Sequence, residues 1–278
     1  MLSTKRIFLP SPARGRELRH LQSVNRAEEK SVRRFCPGVL VKYGWDHEEE
    51  VRALQFIERR LSIPAPRVLH HAPFPDTIVE PWNWGREGVW YFFMDECPGV
   101  PLDEVIETLP PAELDHIAEQ LIVILDKMRS ITSTKLGSVS GGPYNNRFMP
   151  YPFTPRSPFS SVEEYLQYYR NMFLEFCGRQ YVDELFDSFP TKSSIVFTHG
   201  DLLPRNIIVN GSTITGIIDW ETAGFYPEFW EYSRMHFPEL MTPGWDHILR
   251  RVFPEPRREQ QIKAASQIVV DLSCKLPV

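Results

Sequence analysis

Between Phe197 and Gly224 the chain reads FTHGDLLPRNIIVNGSTITGIIDWETAG, and this stretch limits the available folds more than any other. Three short apolar runs, IVFT, NIIV and TITGIID, follow one another closely, and the Asn210-Gly211 pair between the last two is a strong hairpin signal. His199 to Asn206 is then a loop between strands. Asp201 lies inside that loop, Asn206 at its exit and Asp219 at the end of the returning strand. The hairpin therefore brings two carboxylates and an amide toward one point.

Bulk properties exclude several other classes. With 278 residues, 42% apolar and 13% aromatic side chains, the chain has material for one large domain or two lobes, not for a disordered segment. A net charge of -5 argues against a phosphate-backbone binder, so nucleic acid is not an expected partner. No run approaches the roughly 18 apolar residues of a membrane span. Cys36, Cys97, Cys177 and Cys274 stand far apart with no CxxC pair, which argues against zinc and for reduced thiols in a cytoplasmic protein. Residues 1–26 are basic, with Glu17 as the one acid; a mitochondrial presequence is the alternative to a simple solvated leader there.

The chain divides in two. GVLVKYG (38–44) fits a strand, and HEEEVRALQFIERRL (47–61) sets Val51, Leu54, Ile57 and Leu61 at helical spacing behind an acidic first turn. Two prolines in SIPAPR stop that helix, and TIVEPW and VWYFFMD, separated by a turn-rich NWGREG, read as a hairpin. After ECPGVPL the character changes. PAELDHIAEQLIVILDKMRSI is an amphipathic helix, and SVEEYLQYYRNMFLEF opens with Ser161 and Glu164 in capping-box spacing. The Pro/Gly punctuation at 97–101 marks the boundary. GGPYNNRFMPYPFTPRSPF (141–159) reads as an irregular surface loop between helices, expected to order over a bound acceptor.

Converging carboxylates and an amide suit phosphoryl transfer from a nucleotide. That chemistry needs an acceptor for a hydroxyl proton and hard oxygen ligands for Mg²⁺. Asp201 fits the first role, Asn206 and Asp219 the second. H-x-D-x-x-x-x-N is also the spacing of the protein-kinase catalytic loop, with Asp219-Trp220-Glu221 where those enzymes carry D-F-G.

THGDLLPRN, ITGIIDWE and YPEFWEY, in this order, resemble the aminoglycoside phosphotransferase family, relatives of the choline kinases with a two-lobed protein-kinase-like fold. The resemblance covers roughly residues 36–240. It implies an α+β chain with a nucleotide-binding lobe at 36–97, a helical lobe carrying the catalytic loop and substrate site at 98–278, and at 1–35 either a flexible leader or an incomplete start of the first lobe. It implies ATP and Mg²⁺ as cofactors, and Asp201, Asn206 and Asp219 as catalytic residues, the last two as metal ligands. Lys42 takes the place of the strand lysine on the phosphates, with Glu50 as its ion-pair partner and Glu49 as the rival. FFMDECPG resembles the hinge that holds the adenine: Met94 lies there, Asp95 offers a carbonyl and Cys97 an amide. Gly200 replaces the arginine usual in protein kinases, and only a few residues separate Asp219 from YPEFWEY, leaving no room for a long activation segment. Both departures favour a small-molecule hydroxyl acceptor.

Several residues carry two readings. His199 orients the loop or acts as a base; Glu221 reaches the metal through water or is a plain loop acid; Trp220, Trp230 and Tyr232 pack the core or cage the substrate. Glu163, Glu164 and Asp183 attract a cationic acceptor or face solvent. The glycine expected in a phosphate-covering loop is missing: before Lys42 only Gly15 and Gly38 occur, leaving Asn25 to Ser31 to serve. The expected function is an ATP- and Mg²⁺-dependent small-molecule phosphotransferase. A catalytically degenerate binding protein and a protein kinase are the alternatives.

Overall fold

Strand β2 (Val39–Trp45) is the centre of the N-terminal sheet, because its period-two pattern serves two environments at once. Val39 and Val41 join Tyr91 and Phe93 in a small cluster on one face, while Lys42, paired in register with Phe92, faces the other. The computed structural model describes residues 30–45, 47–73, 89–149 and 153–274. Strand β1 (Lys30–Cys36) pairs antiparallel with β2 around a turn at Gly38, whose φ is +80°. Helix α1 (His47–Arg60) follows, with Glu48, Glu49 and Glu50 in its first turn and Arg59 and Arg60 in its last, complementing the helix dipole at both ends. Strands β3 (Val68–Pro73) and β4 (Val89–Asp95) complete an antiparallel sheet of order β1-β2-β4-β3. Val51, Leu54 and Ile57 of α1 pack with Phe92 and Met94 in a core that continues into the helical part.

One element differs from the expectations: Val68–Pro73 is a strand although VLHHAP shows no clear alternation; β4 supplies its partner. The sheet starts at Lys30, within the segment read as a leader or an incomplete start of the first lobe. The expected phosphate-covering loop and the TIVEPW strand lie outside the described residues, except that Lys30 and Ser31 stand in β1.

The chain crosses into the helical part through β5 (Val100–Pro101), which pairs with β8 (Ile207–Asn210). Gly99, at φ +129°, is required at this crossing, since a Cβ there would lie 2.1 Å from the Val209 carbonyl oxygen. Helix α2 (Pro111–Arg129) begins on a proline, where the missing N–H costs nothing. It buries Leu114, Ile117, Leu121 and Leu125. The remaining strands and α-helices among the described residues are β6 (Gly137–Ser138), α3 (Val162–Leu174), α4 (Arg179–Phe186), β7 (Ile195–Thr198), β9 (Thr213–Ile217), β10 (Gly224–Pro227), α5 (Phe229–Met235), α6 (Pro243–Val252) and α7 (Glu259–Cys274). They complete two small sheets, β6-β10-β7 and β5-β8-β9. The β8–β9 hairpin turns at Gly211 and Ser212: only Gly211 takes positive φ, so Asn210 serves as the last strand residue. Ser161 caps α3 by accepting from Glu164 N–H at 3.1 Å, while the Glu164 carboxylate turns back to Ser160 N–H at 2.7 Å.

The 141–159 segment is a correction to the surface-loop expectation. Tyr144, Phe148, Met149 and Phe159 are buried in an aromatic core with Tyr165, Tyr169, Tyr226 and Trp230. Its Pro and Asn residues break periodicity, so the sequence hides how much apolar area it buries.

Candidate active site

A cleft of about 550 Å³ opens where the sheet meets the helical part. Lys42, Glu50, Met94, Asp95 and Cys97 line it from the first lobe, and Asn206 and Asp219 from the second. Asp201 stands just behind this lining, with its side chain only 2% exposed.

Lys42 is buried, and its ammonium donates to Glu50 Oε1 at 2.9 Å and to Asp219 Oδ1 at 2.6 Å. Burial alone would lower the lysine pKa, but Glu50 and Asp219 override it and hold Lys42 above its ordinary value. Burial likewise would raise Glu50, yet Lys42, with His47 assisting, brings it down to about 2. His47 is a residue the sequence did not mark; it is fully buried, with Nδ1 3.2 Å from Glu50 Oε2. Glu49 faces Arg52 and Ser140 instead.

The loop after β7 is held by a network the sequence only partly showed. Asp201 N–H donates to His199 Nδ1 at 3.2 Å, so the ring proton is on Nε2, which donates to the Ile218 carbonyl at 2.9 Å. Both ring nitrogens are thereby engaged in positioning the loop. Glu231 of α5 accepts from His199 N–H at 2.5 Å and Gly200 N–H at 3.2 Å, and Thr222 Oγ1 donates to the His199 carbonyl at 2.8 Å. Gly200 takes φ +83°, and a Cβ there would come within 3.0 Å of Thr222 Oγ1. An arginine in its place would meet both obstacles.

Asn206 donates through Nδ2 to the Asp201 carbonyl at 2.8 Å and to Asp201 Oδ2 at 3.1 Å. With the amide nitrogen engaged, the carbonyl oxygen is the lone-pair donor left for a cation. Asp219 is the one non-glycine residue with positive φ among the described residues, at φ 62° and ψ 59°. The following Trp220 is locked below it, donating to the Ile217 carbonyl at 2.7 Å and stacking on Phe197. Trp220, Trp230 and Tyr232 are all buried core residues.

The strongest feature missed in the sequence is the cationic surround of Asp201. Arg234 Nη2 donates to Oδ1 at 2.8 Å, and Arg147 and Arg205 reach Oδ2 at 2.8 and 2.7 Å. Burial opposes ionisation, but the three guanidiniums hold this carboxyl well below the usual carboxylate range. Arg205 sits inside HGDLLPRN and Arg234 just after YPEFWEY, so proximity to the motifs was the available signal. Arg147, in an aromatic loop, had none. At the end of β4, Asp95 N–H donates to the Arg67 carbonyl and Glu96 N–H to the Gly38 carbonyl, each at 3.0 Å. Burial, with Asp95 nearby, pushes the Cys97 thiol up to about 11, so it is an inert neutral wall. Of the acids expected to attract a cation, Glu164 is turned to Ser160 and Asp183 to Arg170, away from the cleft lining.

Among solved structures, the aminoglycoside phosphotransferase APH(4)-Ia is similar, with a TM-score of 0.62 at 17% identity over 94% of this chain and 90% of that one. A thermostable mutant of that protein in ternary complex with ADP and hygromycin B gives 0.60 at 15% identity over 90% and 83%. The GDP complex of aminoglycoside 2'-phosphotransferase-IIIa gives 0.61 at 13% identity over 90% and 82%. These likenesses establish the two-lobed, kinase-like fold. No curated protein matches the sequence significantly. The sequence pattern of the phosphotransferase enzyme family matches residues 42–262, from the buried lysine of β2 into α7. On that match, the chain belongs to the phosphotransferase enzyme family.

Proposed function

We propose that this phosphotransferase moves the γ-phosphoryl group of ATP, with Mg²⁺, to a hydroxyl of a small molecule. The observation that carries this reading is the meeting, in one cleft, of the buried Lys42–Glu50 pair with Asn206 and Asp219, directly in front of Asp201. Lys42 is placed to bind phosphate oxygens, with Glu50 keeping it charged and extended. The oxygen donor set fits a hard cation: the Asn206 carbonyl oxygen and the Asp219 carboxylate would hold Mg²⁺. When bound, Mg²⁺ supplies neutralisation of charge developing on the transferred group. Met94, Asp95 and Cys97 would contact the base, mainly through backbone groups of the hinge.

Asp201 orients the acceptor hydroxyl and takes its proton as the oxygen–phosphorus bond forms. Its depressed pKa makes it a weak base beforehand, so orientation is the larger part of its role. The short connection from Asp219 through β10 to α5 supports a small-molecule acceptor over a protein, since a long activation segment has no room. The second reading, a binding protein without turnover, draws on the saturation of Asp201 Oδ2 by Arg147, Arg205 and Asn206. Release of ADP from ATP and Mg²⁺ in a panel of hydroxylated compounds tests the proposal. Acceptor-dependent ADP that disappears in Asp201→Asn supports it; nucleotide binding with no turnover by any acceptor would select the second reading.

A further inference from the structure

We infer that Arg147 is a further catalytic residue: its guanidinium leaves Asp201 when nucleotide and acceptor bind, and grips the γ-phosphoryl group as it transfers. The inference rests on the phosphotransfer reading above and adds a residue to its machinery.

The ionic groups of the site balance by themselves. Lys42 meets Glu50 and Asp219, Arg205 and Arg234 meet Asp201, and Arg147 meets both Asp201 and Glu221, so four cations face four carboxylates. A triphosphate with its Mg²⁺ brings net negative charge into this balance, because the metal neutralises only part of it. Cations must then turn from carboxylates to phosphate oxygens. Among the described residues that line the cleft, Lys42 and Arg147 are the cationic ones, one from each lobe. Lys42 serves the end of the triphosphate near the sheet. Arg147, seated on Asp201, is at the end where the hydroxyl must attack.

The mounting of Arg147 suits a movable charge on a fixed base. Asn146 accepts from Phe148 N–H at 3.0 Å and donates to Tyr226 Oη at 2.9 Å, and Tyr144 and Phe148 are buried, so the backbone on either side is pinned. The Arg147 side chain is 43% exposed, against 4% for Arg234, which also donates to the Gly200 carbonyl and stays with Asp201. The Arg147 fork spans two acids, with Nη2 2.8 Å from Asp201 Oδ2 and Nη1 3.8 Å from Glu221 Oε1. Oδ2 also accepts from Arg205 and Asn206, so an acceptor hydroxyl reaches it only by replacing a donor. Asn206 is tied to the Asp201 carbonyl as well, and Arg205 stands off the cleft lining, which leaves Arg147 as the donor to move. Glu221 keeps the displaced fork at the cleft, and a guanidinium matches phosphate oxygens in pairs. In the transfer itself, the hydroxyl oxygen bonds to the γ-phosphorus as the bond to the β-γ bridging oxygen breaks. ADP leaves, and the proton passes to Asp201 and then to water. The charge spread over the outer γ-oxygens is what the Arg147 fork stabilises.

The test uses the full chain and aluminium fluoride, a mimic of the transferring group that with ADP and Mg²⁺ needs no identified acceptor. By calorimetric titration, the wild type is expected to bind ADP and Mg²⁺ about tenfold or more tighter with aluminium fluoride than without it, as transition-state mimics do. In Arg147→Gln that gain should shrink to within about threefold, with affinity for ADP and Mg²⁺ alone nearly unchanged. Arg147→Lys keeps the charge but not the fork, so it should retain only part of the gain, and it serves if Arg147→Gln does not fold. Where a hydroxylated compound or water supports ADP release from ATP, kcat in Arg147→Gln should fall by about 10²-fold or more with little change in KM for ATP, the pattern of a contact made only in the transition state. An undiminished fluoride gain in either variant, an equal or higher kcat in Arg147→Gln, or no gain in a wild type that binds ADP would overturn the inference. A higher kcat would make Arg147 a plug on Asp201 instead. A wild type that binds no nucleotide would sink the phosphotransfer reading, and the inference with it.

Discussion

Lys42 of β2 and Asp219, separated by most of the chain, are joined across the cleft by a 2.6 Å ion pair that ties the sheet to the β8–β9 hairpin. The same ammonium is 2.8 Å from Glu50, and both Lys42 and Glu50 are almost fully buried. Removing the lysine therefore strands a buried carboxylate. Lys42→Met is expected to weaken ATP binding and also to cost about 3–5 kcal/mol of stability, the usual consequence of breaking a buried pair on one side. Lys42→Met/Glu50→Gln should recover part of that stability but none of the nucleotide affinity. Chemical denaturation beside nucleotide titration separates the two, and a single variant as stable as wild type would contradict the buried pair.

The same pair sets an acid sensitivity. Glu50 falls from an ordinary value of 4.5 to about 2, so its contribution is fully present above about pH 4.5 and lost as pH drops toward 2. Asp201, also depressed, acts in the same direction. Lys42 is raised, so its contribution holds below its ordinary 10.5 and is lost only in strong base. Thermal melting between pH 7 and pH 3 should show a steep fall in Tm below about 4.5. Glu50→Gln should be less stable at pH 7 by a few kcal/mol, with a flatter acid limb. Parallel curves for both proteins would remove Glu50 as the source.

Asp201→Asn is expected to cut turnover by about 10²- to 10⁴-fold while nearly preserving affinity for ATP and Mg²⁺, because the amide cannot take the proton. Lost charge also leaves the buried Arg234 without its counterion, at 2.8 Å in the wild type. A lower Tm should accompany the rate loss. Asp219→Ala should show the converse, with metal-dependent nucleotide binding itself weakened. Full activity in Asp201→Asn would sink the assignment.

Much of this arrangement was legible in local sequence, and the physical reason is sequence proximity. Asn206 and Asp219 flank one hairpin and Asp201 lies in the loop that leads into it, so turn chemistry predicts their convergence, while Lys42 beside Glu50 followed from the family resemblance rather than from any spacing. What stayed hidden depends on distant packing. Arg147 reaches Asp201 only because Tyr144 and Phe148 bury the loop around it. His47 lies behind Glu50 because α1 closes on Phe92. Val68–Pro73 becomes a strand only through β4. No spacing rule within a segment encodes a partner dozens of residues away.

Glu231 is the last such hidden contact, and it gives a prediction that separates positioning from chemistry. Its carboxylate, buried in α5, accepts from the backbone N–H groups of His199 and Gly200, the two residues that precede Asp201. Burial raises its pKa, opposed mainly by His199, and the group touches no reacting atom. Glu231→Gln leaves one acceptor oxygen to be shared by both N–H groups and turns an NH₂ toward the Gly200 N–H, at a cost of about 1–3 kcal/mol. The catalytic loop should then sit less firmly, lowering kcat by roughly tenfold or more, since small misplacements of a catalytic group are amplified in rate. KM for ATP should stay unchanged, because Lys42 and Asp219 do not depend on this contact. A rise in the KM for ATP with constant kcat would place Glu231 in nucleotide binding instead, and unchanged kinetics with unchanged Tm would remove it from the catalytic scaffold altogether.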